Sequence, residues 1–413
     1  MKVAGESSPS ESEYVSPDTA NGSVNPVFYR FMFSRAIGSV CFSLFLLFFA
    51  WKMIVVYKSV FLVGMMPTIY LGVDILLSVP LGHLVDRVSN SLLNLVASLF
   101  MLAGFLIFLL GFSFYLVYAV TILVSISVTM KGGSLMGLMK RLVSPDGINR
   151  ATSNVSASLS LSQLIGVAAG GFSLVFLGEY TPYVLIAGSI ASIALSIPIK
   201  NEPGRNAVGE KGTSGEYREV LAFMKRIWTV LVFALVINGF FISLDVYASG
   251  LFNIYLKSNP IFYTLFVASL PAGMLIGSML SSRIYPFLNN ARVTASLLFL
   301  LAPLVIVLGL SQYAAADVIA AGFMGFILPL INVPINARLT KVIPREWFGR
   351  SMAMMRIFTG GSTPVMAVFF SFLSIFFTVP EILLYVGILM FPFSLFGLKV
   401  VRTLYSVSVT GGS

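Results

Sequence analysis

The chain has 413 residues, of which 57% are hydrophobic and only 10% charged, and it carries a formal net charge of +10. Soluble domains carry roughly 25% charged residues, so a chain this apolar cannot cover its nonpolar surface in water and is expected to be an integral membrane protein. A single cysteine, Cys41, rules out an intramolecular disulfide and a cysteine-built zinc site, and a single histidine, His83, rules out paired-histidine metal motifs. The sequence has no glycine-rich phosphate loop ending in Lys-Ser/Thr; Lys211-Gly212-Thr213 lacks the preceding glycine spacing. No cofactor, no metal and no enzymatic activity are expected.

In chain order, residues 1–25 are rich in Ser, Glu, Pro and Gly and too poor in apolar residues to fold, and so read as a disordered tail. Long apolar segments follow near Phe31–Val56, Ser59–Leu81, Ser91–Leu110, Phe114–Leu138, Val155–Leu177 and Pro182–Ile199. Residues 200–225 form the other long polar stretch. Six more segments lie near Ile227–Ala248, Ile261–Ser281, Val293–Leu310, Ala314–Asn336, Ser351–Phe377 and Ile382–Leu398. The stretch Ile227–Leu256 is the least regular: either a helix with a short loop or a helix bent near Gly250. The expected architecture is all-α, about twelve transmembrane helices in two six-helix bundles, 26–199 and 226–405, with a short tail at 406–413.

Basic residues divide unequally between the two ends of these segments. Twenty Lys and Arg fall on the side of the termini and the 200–225 linker; only Lys52, Lys58 and Lys257 fall on the other; Arg35, Lys131 and Arg356 lie within spans. So large a bias predicts a multi-pass protein of the plasma membrane with both termini cytoplasmic. It also absorbs the basic excess, leaving nothing that calls for nucleic acid.

Gly82-x-x-x-Asp86-Arg87, placed between the second and third apolar segments, resembles the signature loop of the major facilitator superfamily. A polar turn joining two spans needs a glycine for close backbone approach and charges that hold it in water. Weaker echoes lie in the second half: Gly277 to Arg283 for Gly82 to Arg87, and Val342-Ile343-Pro344 with Arg350 for Val143-Ser144-Pro145 with Arg150. Repeats offset by about half a chain are the mark of duplicated bundles. Phe28-Tyr29-Arg30-Phe31, Ser34-Arg35, Leu142 to Ser153, and Asn332-Val333 through Pro344 with Gly349-Arg350 resemble the exporter branch that includes drug and siderophore efflux proteins. Gly166-Val167-Ala168-Ala169-Gly170-Gly171 resembles the antiporter signature of helix 5, with Val167 where the family has proline. Ordinary close packing of small residues is the other reading of this run. The resemblance implies two bundles around a cavity that opens alternately to either side. Two departures stand out: Phe42 occupies a position where related exporters carry an acid, and Leu135 one where they carry an arginine.

Charged side chains inside spans are the functional candidates, because burying one costs about 2.5–3.5 kcal/mol even on the insertion scale. Asp74 and Asp245 are the candidate proton-coupling groups; structural ion pairs or permanently neutral acids are the alternatives. Asp317, near a helix end, is expected to be merely solvated. Lys131, Gln163, Asn238, Asn332 and Asn336 are candidate cavity contacts, with snorkelling the alternative for Lys131 and interhelical hydrogen bonding for the amides. Gly82, Asp86, Arg87, Arg141, Arg150 and Arg350 form the candidate gating loop. Gly166, Gly170 and Gly171 are candidate helix-packing positions, while Arg35 and Arg356 read as anchors. The expected function is a secondary transporter moving a small organic solute by proton-coupled export through the bilayer. Uptake or lipid movement, and a transport-inactive scaffold or sensor, are the alternatives.

Overall fold

The computed structural model describes residues 26–143, 148–198, 225, 228–288, 290–342 and 348–406. Among them are twelve long helices and no strand: α1 Pro26–Tyr57, α2 Val60–Arg87, α3 Asn90–Leu106, α4 Phe114–Leu142, α5 Ile148–Phe172 and α6 Thr181–Leu195 in the first half. The second half holds α7 Trp228–Gly250, α8 Pro260–Arg283, α9 Ala291–Leu310, α10 Ala314–Val342, α11 Phe348–Leu373 and α12 Val379–Ser406. Ten stretches of the described chain are long and apolar enough to cross a membrane. One of these, Asn154–Leu195, takes in both α5 and α6, and the apolar part of α11, Gly360–Leu373, is shorter. In a bilayer each backbone N–H and C=O must be satisfied within its own segment, which is why a chain this apolar resolves into helices.

Short polar residues start several of these helices. The side chains of Ser59, Ser89, Ser113, Asn259 and Asn290 each accept a backbone N–H from the first turn of α2, α3, α4, α8 and α9, supplying an acceptor to donors the helix leaves unpaired. The irregularity expected near Gly250 is present: α7 passes into a wider turn at Leu251–Tyr255. One expectation is overturned. Gly82 to Arg87 is not a loop but the last turns of α2, and only Val88 and Ser89 separate that helix from α3. Two residues suffice to reverse the chain because Ser89 caps α3 at once. The tail at 1–25, the linker at 200–224 and the tail at 407–413 lie outside the described residues.

The halves repeat in register. Helices α2 and α8 begin at 60 and 260, α4 and α10 at 114 and 314, α5 and α11 at 148 and 348. Lys58 and Lys257, in the turns before α2 and α8, both adopt left-handed backbone, with φ of 51° and 46°, which is uncommon outside glycine. An offset near 200 brings Arg150 and Arg350 together as expected, but places Ser282, not Gly277, opposite Gly82.

Within the first half α1 packs on α4, α5 and α6, and α3 on α4 and α6; within the second, α8 packs on α10, α9 on α12, and α7 on α11. The bundles meet chiefly through α2 against α11 and α7, and α5 against α8. These contacts gather at the end away from the termini. There Trp51 stacks on Tyr263 at 5.2 Å and Lys58 Nζ donates to Asn253 Oδ1 at 3.0 Å.

Candidate functional site: the cleft between the bundles

Two glycines allow the bundles to close at that end. A side chain at Gly64 of α2 would run into Ser371 Oγ of α11, and its Cβ would lie 2.8 Å from Val246 Cγ1 of α7. A Cβ at Gly171 of α5 would lie 2.9 Å from Thr264 Cβ of α8. Gly64 and Thr264 are repeat mates, as are Gly171 and Ser371, so the closure is the same contact made twice. Three turns earlier along α11, on the face that carries Ser371, Gly360 meets nothing within 4 Å. The bundles therefore part toward the side of the termini. Among the described residues the bundles are in contact at one end and leave open space beside Gly72 of α2 and Gly360 of α11.

Two carboxylates belong to this inter-bundle region. Asp74 of α2 is half-buried and accepts a hydrogen bond from Thr129 Oγ1 of α4 at 2.9 Å. Asp245 of α7 is exposed. The Tyr70 hydroxyl lies within electrostatic reach of both, and Tyr263 within reach of Asp245. Tyr70 stands edge-on to Phe42 of α1, ring centroids 5.6 Å apart. Thus each bundle contributes one carboxylate, and the Tyr70 phenol feels both. Tyr70 and Thr129 were not anticipated from sequence, since a tyrosine or threonine in an apolar run carries no signal until its neighbours are known.

The remaining candidates are distributed differently. Gln163, Asn238 and Asn332 have exposed side chains. Lys131 does not face an opening: it is 1% exposed, enclosed between α1, α3 and α6. Gly166 and Gly170 pack against Val40 and Leu47 of α1, and Gly171 against Thr264, so all three sit at close helix crossings. Asp317 is fully buried in the first turn of α10 rather than solvated. Leu135 packs beside Phe28, Phe31 and Met32. Gly82, Asp86, Arg87, Arg141, Arg150, Asn336, Arg350 and Arg356 lie on helices, but their side-chain placement is outside the described residues. A pocket of about 180 Å³ lies beside the Lys52–Glu179 ion pair at the closed end of the first bundle, and neither Asp74 nor Asp245 lines it. Among the described residues no group of His, Cys, Asp and Glu is arranged to hold a metal.

The family model of the Major Facilitator Superfamily matches residues 31–368. The chain belongs to this superfamily. No curated protein matches it in sequence. Among solved structures, a bacterial homologue of the human lysosomal transporter Spinster, inward-facing and unoccupied, aligns with TM-score 0.70 at 11% identity over 93% of this chain and 98% of that one. The nucleoside transporter NupG aligns with TM-score 0.70 at 11% identity over 93% and 100% of the two chains. A POT family transporter in complex with a thioalcohol-conjugated peptide aligns with TM-score 0.69 at 11% identity over 93% and 96%. The shared property at this identity is the facilitator fold.

Proposed function

We propose that this facilitator is a secondary transporter that moves a small organic solute by alternating access and exports it in exchange for protons. The observation that carries the reading is the one-sided closure: the same glycine contact made twice shuts one end, while a carboxylate from each bundle belongs to the region between. A two-bundle molecule with a closed and an open end needs only to rock about its middle to exchange which end is shut. Small organic cargo agrees with the relatives of like fold, which include a nucleoside transporter and a transporter holding a peptide conjugate. The basic bias makes the open, terminus side cytoplasmic.

Protons are proposed as the coupling ion because Asp74 and Asp245 change surroundings as the bundles rock. A carboxylate binds its proton more tightly when desolvated and gives it up on meeting water. Export rests on the Gly166 to Gly171 run and its likeness to the antiporter signature. Asp86, on the last turn of α2, is proposed to hold the cytoplasmic side shut in the opposite state, against the start of α11 or against Arg141 or Arg150. Reconstituted vesicles given a panel of labelled amphiphiles, with and without a pH gradient, test the reading. It predicts accumulation in the more acidic compartment; flux indifferent to the gradient would refute proton coupling, and no flux would refute transport.

A further inference from the structure

Deep in the first bundle, Lys131 of α4 points its ammonium into a cage of hydroxyls. Nζ donates to Ser192 Oγ of α6 at 2.5 Å, to Ser98 Oγ of α3 at 2.7 Å and to Ser34 Oγ of α1 at 3.0 Å. All of these residues are buried. No carboxylate among the described residues lies within ion-pair distance of Lys131. Facing groups are few: α3 and α6 carry no charged residue, and α1 brings Cys41, within electrostatic reach of the amine, and Arg35. On α4 itself Thr129 leads to Asp74, and Lys140 and Arg141 stand at the helix end.

The cage fits either protonation state. As an ammonium, Lys131 uses its three donors on three hydroxyl oxygens, whose own protons go elsewhere: Ser98 to Asn94 O at 3.0 Å, and Ser192 to Ser34 O at 3.0 Å. As an amine, it needs one donor, which a single hydroxyl supplies by turning about its C–O bond. No heavy atom has to move. The hydroxyls also run onward: Ser196 Oγ lies 2.8 Å from both Ser98 Oγ and Ser34 Oγ and accepts from Asn94 Nδ2 at 2.9 Å. Ser196 ends α6 on the terminus side, next to the exposed Ile197.

The fold does not require this cage. At an offset of 200 the second bundle has Ile331 for Lys131 and Leu298 for Ser98, both buried and apolar, and Ala234 for Ser34 and Pro392 for Ser192, neither with a hydroxyl. A lysine placed where its repeat mate is isoleucine is there for a purpose other than packing.

We propose that Lys131 is a proton-binding site of the first bundle, exchanging its proton with the terminus-side face through the hydroxyls of Ser34, Ser98, Ser192 and Ser196. The ammonium passes a proton to a serine oxygen as that serine passes its own to the next; the last hydroxyl, the buried Ser196, gives its proton to a water admitted when the end of α6 opens. A neutral amine remains and every serine stays neutral. Return runs the same chain backward. The site's use in coupling rests on the transport reading, but its titration is read without solute.

The test is nitrogen magnetic resonance of the full chain carrying ¹⁵N-lysine, in lipid nanodiscs, followed from acid to mildly alkaline pH. One Nζ resonance, absent from Lys131→Met and displaced in Ser192→Ala, should move through a single step, and the Met variant should take up one proton fewer per chain on acidification. If the Met variant does not fold, the displacement in Ser192→Ala and Ser98→Ala still identifies the resonance. A Lys131 signal that stays fixed across the titration would overturn the proposal. A titrating Lys131 in a protein that moves no solute would leave the site standing and refute transport instead.

Discussion

The two bundles share a register of helices but not a chemistry. Where the first bundle buries Lys131 among Ser34, Ser98 and Ser192, the second has buried Ile331 and Leu298 in the places of Lys131 and Ser98, and Ala234 and Pro392 in those of the other two serines. Asp74 has Met274 as its mate at an offset of 200, and nothing in α1 matches Asp245. By contrast, the closing contacts are kept in both halves, Gly64 with Ser371 and Gly171 with Thr264. What the repeat preserves is the surface on which the bundles move; what it abandons is the set of ionisable groups. On this account the symmetric parts carry the motion and the asymmetric parts carry the chemistry.

The sharpest way to break the comparison is to give the second bundle the first bundle's charge. Ile331→Lys puts an ammonium among buried apolar side chains without the three-hydroxyl cage of the first bundle, costing about 2.5–3.5 kcal/mol even on the insertion scale. Yield of folded, monodisperse protein should collapse, while Lys131→Met should still give folded protein. Equal yields of the two variants would show that the cage is ordinary packing.

Next in size is Asp74→Asn. The amide keeps an acceptor for Thr129 but cannot titrate, so pH-driven accumulation in vesicles should fall by at least about tenfold, the equivalent of roughly 1.4 kcal/mol. Downhill exchange of the same solute should persist, because solute binding and rocking need no titration. Full pH-driven transport would pass the role to Asp245, and Asp245→Asn is the matching assay.

Gly64→Val and its mate Gly171→Val probe the symmetric part. Each forces a side chain into the closed end, and overpacking of this kind costs about 1–3 kcal/mol. That should move the population toward the state open at that end by roughly tenfold for each 1.4 kcal/mol, read as labelling of a cysteine placed at Ser258. Two substitutions with effects of the same sign and similar size would support a doubled gate; an effect from only one would make the symmetry formal. The smallest effect belongs to Lys52→Ala. Glu179 is 85% exposed, and a surface pair of this kind contributes about 0–1 kcal/mol, so thermal stability and transport should be nearly unchanged.

Much of this architecture is legible in the sequence because bilayer thickness sets helix length, and polar residues at helix starts punctuate the apolar runs. Even the irregular end of α7 shows itself through Gly250. The extension of α2 through Arg87 does not, since charged residues beyond an apolar run read as loop unless the cap of the next helix, here Ser89, is weighed as well. The Lys131 cage is illegible for a different reason. Ser34 and Ser196 stand 162 positions apart yet lie 2.8 Å from one another, and a serine in a membrane helix is common enough to carry no signal singly. Asp317 misleads in the same way: its nearness to a helix end suggests solvent, but it is fully buried.

The central claim, that the closed end opens as the open end shuts, is tested most directly by pulsed electron resonance distances between two pairs of spin labels in nanodiscs. One pair, at Tyr115 and Tyr313, spans the bundles at the closed end; the other, at Leu92 and Phe287, spans them on the terminus side. All four positions are exposed. As the pH is changed, or as Gly64→Val is introduced, the first distance should lengthen while the second shortens. Distances that stay fixed, or that lengthen and shorten together, would contradict alternating access in this protein.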